Sequence, residues 1–98
     1  MAPSQVKWVE AFLENADARL LNIYDGARII SRQFSDRQQA AQYWKDNAEL
    51  FSDMLRHLRR IEDKLRASHL AQPEGLAKII QTATDIVEAC RGAHEFHS

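Results

Sequence analysis

Apolar residues recur along the first third of the chain at Val9, Leu13, Ala16, Leu20, Ile23, Ala27, Ile30 and Phe34. Steps of four and three alternate without a slip. This spacing keeps side chains on one face of a helix and predicts a long amphipathic helix over about residues 4–33. Trp8, Phe12, Tyr24 and Ile29 lie beside the seam and widen it. A wide face suits a helix with two neighbours better than a two-stranded coiled coil. Gly26 falls inside the pattern in phase, so the helix is expected to run through it. A missing side chain there would make room for an indole opposite.

The pattern stops at Phe34-Ser35-Asp36 and resumes as Ala40, Trp44, Asn47, Phe51, Met54, Leu58, Ile61, Leu65. A second helix follows over about 36–70, with Ser35 and Gln38 reading as a capping box and Asp36 at the positive end of the helix dipole. Ala71-Gln72-Pro73 breaks it, and proline fits the first position of a third helix over about 73–95. The seam of that helix is Leu76, Ile80, Ala83, Val87, Cys90, His94, with Ile79 and Ile86 broadening its apolar arc beyond what a lone bundle needs. Short connections make consecutive helices antiparallel neighbours. The expected fold is all-α: a single domain over 1–98, an up-down-up three-helix antiparallel bundle with long coiled-coil-like helices.

Composition agrees with the pattern. The chain has 98 residues, 45% hydrophobic and 28% charged, with only 3 Gly and 2 Pro. That is too apolar for disorder, and its interior residues lose little on entering a helix. A domain of this size buries only about 60–65% of its unfolded surface, so a partner would stabilise it appreciably. A net charge of −1 gives no global field toward nucleic acid or membrane. One cysteine, Cys90, excludes an intrachain disulfide. With no signal-peptide pattern and no apolar run of membrane-spanning length, the expectation is a soluble chain in the cytoplasm or nucleus.

Candidate chemistry is sparse. Cys90, His94 and His97 share a helical face at ligand-like spacing, yet two of them fall on the core seam. A buried thiol is then the favoured reading over a metal. Arg56, Arg59, Arg60, Lys64 and Arg66 form the one basic cluster. Arg56–Arg60 and Arg60–Lys64 are like-charge pairs four apart, a mild cost that an acidic partner would relieve. His57 and His69 converge with no nucleophile or carboxylate. Asn47, a lone amide on an apolar seam, reads as a register-setting polar core residue. Trp8 and Phe12, at one end of the rod, are the aromatic pair most suited to anchor an interface.

These features point away from an enzyme, a cofactor or a small-molecule substrate. They point toward a helical protein–protein interaction module, an adaptor, complex subunit or self-associating scaffold. The partner is a protein, a homodimer being the simplest version. Partner-binding candidates are Trp8, Phe12, Arg56, Arg59, Arg60, Lys64, Ile79 and Ile86. Two alternatives remain behind it: nucleic-acid or anionic-surface binding through the basic end of helix 2, and a small metal-binding helical protein.

Overall fold

A computed structural model describes the backbone of residues 3–98 and the side chains of residues 10–98. It contains three helices, α1 (Pro3–Ser31), α2 (Arg37–Ala67) and α3 (Leu76–His97), and no strand among the described residues. The expected all-α, three-helix architecture is what forms. The molecule is a rod of 52 × 23 × 13 Å with a radius of gyration of 16.0 Å. A compact chain of this length would have about 13 Å.

The three helices do not share their contacts equally. α2 and α3 are the close pair, α1 lies mainly on α3, and α1 barely touches α2. Small residues explain the first contact. Ala40, Ala41 and Ala48 on α2 and Ala83 on α3 are buried, and their short side chains let the two backbones approach. Phe51, Leu76 and Cys90 are the largest side chains sealed completely inside. Trp44 packs between Tyr24 and Tyr43, with ring centroids at 6.1 and 6.0 Å.

The helix boundaries depart from expectation at both connections. Asp36, not Ser35, caps α2: its backbone is extended and its carboxylate accepts from Gln38 N at 2.9 Å. The α2–α3 connection is longer than the proline predicts. α2 ends in a Schellman motif, with Leu70 N donating to Leu65 O and His69 N to Arg66 O, and His69 at φ 56°. Pro73 does not open α3. It begins a turn whose carbonyl accepts from Leu76 N, and Gly75, at φ 94°, becomes the N-cap. That left-handed residue cannot be part of the helix, and a Cβ on it would stand 3.6 Å from the Cβ of Leu13.

Gly26 does lie within a continuous α1, but not for the expected reason. A Cβ there would meet nothing within 4 Å, and Tyr24 is the α1 residue that contacts the indole of Trp44.

Candidate interaction surface

Each long helix carries two apolar stripes one residue out of phase, and α3 takes only one of them. On α1 the buried positions are Leu13, Asp17, Leu20 and Ala27, with Tyr24 half-buried between them. On α2 they are Ala40, Ala41, Trp44, Ala48 and Phe51, continued by the half-buried Leu55. Ala16, Ile23 and Ile30 on α1, with Asn47, Met54 and Ile61 on α2, belong to the predicted seams but stand beside the buried face. Ile23 and Ile61 are each 49% exposed.

The result is an open groove of about 320 Å³ where α1 and α2 fail to close on each other. Leu20 and Ile23 form one wall, Met54, Leu58 and Ile61 the other, and Ile79 of α3 also lines it. Its surface is almost wholly apolar, with Arg19 and His57 the titratable residues among its lining.

The expected surplus on the third helix is absent. Ile79 is 4% and Ile86 3% exposed, and with Leu76, Ala83, Val87 and Cys90 they form the centre of the core. Covered on two sides by α1 and α2, α3 keeps Ile86 in the core and lends the groove only its buried Ile79. Among the described residues the wet apolar side chains belong mostly to α1 (Leu21, Ile23, Ile29, Ile30) and α2 (Leu50, Ile61), with Phe96 at the end of α3 also exposed. Phe12 is exposed on α1. The side chain of Trp8 lies outside the described residues.

Asn47 does not bridge helices as a register-setting amide would. It is half-buried, and its Nδ2 donates to the carbonyl of Tyr43 in its own helix at 2.8 Å. The buried polar residue is one that seam reasoning passed over. Asp17 is 6% exposed; Thr82 Oγ1 donates to its Oδ1, and Lys78 Nζ stands 3.9 Å from Oδ2. It joins α1 to α3 at a position seven-residue spacing assigns to the buried stripe, in phase with Leu13, Leu20, Tyr24 and Ala27.

The basic cluster divides around α2. Arg56 pairs with Asp53 at 2.8 Å, and Arg66 approaches Glu62 and Asp63 at 3.5 and 4.0 Å. Arg56 and Arg59 border the α2–α3 cleft together with Glu88 and Arg91 of α3. Arg60 and Lys64 are exposed and have no ion-pair partner among the described residues. All of these pairs lie in solvent, where each contributes little.

At the other end, Arg37 fastens the start of α2 to the finish of α3. Its Nε donates to the His97 carbonyl at 3.0 Å and its Nη2 to that of Phe96 at 2.7 Å. These are carbonyls a helix end leaves unpaired, and a cation suits that pole of the dipole. His94 Nδ1 donates to the Ala41 carbonyl at 2.9 Å, so that ring ties α3 to α2. Burial pushes the Cys90 thiol up to about 11. Among the described residues no three His, Cys, Asp or Glu side chains converge as metal ligands would, and no helix is long and apolar enough to cross a membrane.

No known protein family, curated protein or solved structure matches this chain.

Proposed function

We propose that the chain is a non-enzymatic helical protein–protein interaction module, an adaptor, complex subunit or scaffold, whose docking surface is the α1–α2 groove. One observation carries this reading: the groove is apolar along its length, yet the chain leaves it open, with Ile23 and Ile61 half wet. A large contiguous apolar strip of this kind is the mark of a binding surface. The occupant is an amphipathic helix laid along the groove as a fourth member of the bundle. Burying one Ile or Leu there contributes about 1.5–3 kcal/mol. A reducing compartment, the cytoplasm or nucleus, fits a chain whose single cysteine is an unpaired core thiol. The basic end of α2 supports nucleic-acid binding less well, since its cations spread around the helix with Asp53, Glu62 and Asp63 among them.

The test replaces Ile23 and Ile61 together by Glu. Because both are already half exposed, helix content is expected to persist and stability to change by no more than about 1 kcal/mol. Association, with copies of itself or with its partner in native extract, is expected to weaken at least tenfold. Unchanged association, or a variant that unfolds because these residues are core, sinks the reading.

A further inference from the structure

Beside the groove, the outer face of α2 carries a stripe of charge that changes sign halfway. Asp46, Glu49 and Asp53 precede Arg56, Arg60 and Lys64. All six are exposed, and at 3.6 residues per turn they fall within about a quarter of the helix circumference. On the side nearer α3 the stripe is edged by Glu49, Asp53 and Arg56, which border the α2–α3 clefts together with Lys45, Arg59 and Arg91. Leu50 runs between the stripe and the groove, next to the groove-lining Met54, His57 and Ile61; Leu50 and Ile61 are half exposed.

A helix with acids in one half and bases in the other is complementary to itself when reversed. We infer that the groove is occupied by a second copy of this chain, the two α2 helices packing antiparallel about a two-fold axis near residue 57. This rests on the reading of the groove as a docking surface and names its occupant. In that register Asp53 of one copy meets Arg60 of the other, Glu49 and Asp46 approach Lys64, and Met54 packs on Ile61. Every contact is made twice, as a two-fold interface requires. The arrangement answers the one local conflict on α2. Arg60 and Lys64, which have no ion-pair partner of their own among the described residues, repel at a four-residue step and gain most from the carboxylates laid alongside, while Arg56, beside the axis, keeps Asp53 of its own chain. An unrelated acidic helix would match the bases, but it would leave the row Asp46, Glu49, Asp53 facing carboxylates or water. A second copy serves both rows on either side of the axis. The stripe spans about 27 Å, roughly three-fifths of α2, long enough to fix direction as well as register.

The experiment uses the full chain and two triple variants, Asp46→Lys/Glu49→Lys/Asp53→Lys and Arg56→Glu/Arg60→Glu/Lys64→Glu, in sedimentation equilibrium at low salt. The wild type is expected to dimerise reversibly. Each variant now carries six like charges on the stripe and is expected to dimerise at least tenfold more weakly. Mixed one to one, the two are expected to form a heterodimer at least as tight as the wild type. Should a triple variant lose helix content, Asp53→Lys and Arg60→Glu, each alone and then mixed, carry the same comparison. A wild type that stays monomeric to about 1 mM overturns the dimer; the Ile23/Ile61 comparison against the native partner then judges the interaction module separately. Variants that dimerise as well as wild type, or fail to combine on mixing, overturn the register.

Discussion

Asp17 and Thr82 make the polar contact that joins α1 to α3 inside the apolar boundary. Removing the donor alone leaves a buried carboxylate short of a hydrogen bond. Thr82→Val is therefore expected to destabilise by about 1–3 kcal/mol, read as a lower denaturant midpoint at unchanged slope. Replacing both, as Asp17→Leu/Thr82→Val, is expected to recover most of that loss, because an apolar pair needs no partner. Lys78 contributes less, its ammonium being exposed. Asp17 was hard to read from sequence because a carboxylate in a stripe of leucines looks like an interruption. Only the threonine 65 positions away makes it a member of the core.

Cys90 gives a second prediction at this scale. Its thiol ionises near 11 in the folded chain against an ordinary 9.0. Between those values the unfolded chain has lost the proton and the folded one keeps it, so stability falls as pH rises. The slope is about 1.4 kcal/mol per pH unit. Cys90→Val keeps an apolar side chain, and the difference between its stability and that of the wild type is expected to vary with pH over this window alone. At neutral pH a thiol reagent is expected to modify Cys90 only as fast as the chain unfolds.

Among the elements, α2 ends at the cost of strain and α1 contains slack. His69 holds the left-handed position that closes the Schellman motif, a conformation costing an L-residue about 1–2 kcal/mol. Glycine adopts it freely, so His69→Gly is expected to raise stability by about 1 kcal/mol. Gly26→Ala is expected to add about 0.5–1 kcal/mol, since the new methyl enters open space within a helix. Calorimetry is expected to show a rise in Tm of about 4–8 °C for each 1 kcal/mol gained. Element type and order were fully legible in the seams. The ends were not: Asp36 and Ser35 are both competent caps, and Pro73 is as good a first residue of a turn as of a helix. What decides the second case is Gly75, whose left-handed backbone at φ 94° ends the turn and starts α3 one residue later.

For the whole molecule, unequal packing sets unequal stability. α2 and α3 enclose most of the core, whereas α1 is held along one stripe by α3 and little else. Amide hydrogen exchange is expected to find α1 opening at lower free energy than the α2–α3 pair, with the most protected amides around Phe51, Ala83 and Cys90. The same asymmetry explains why the seams foretold surplus apolar surface but misplaced it. Heptad spacing on α1 and α2 is wide enough to serve two neighbours, and nothing in either sequence says which neighbour the chain itself supplies. α3 supplies one. It is consumed in doing so, and Ile79 and Ile86 with it. The groove is the unserved half of α1 and α2.

The bond between Asp17 and Thr82 also has a consequence in time. An eight-residue connection closes the α2–α3 hairpin, whereas this link must wait for Asp17 and Thr82, 65 positions apart, to meet. α1 is thus expected to dock after the α2–α3 hairpin has closed, and until it does the faces of α2 and α3 destined for it are bare. During that interval a neighbouring chain competes for them, and the order of events becomes a matter of concentration.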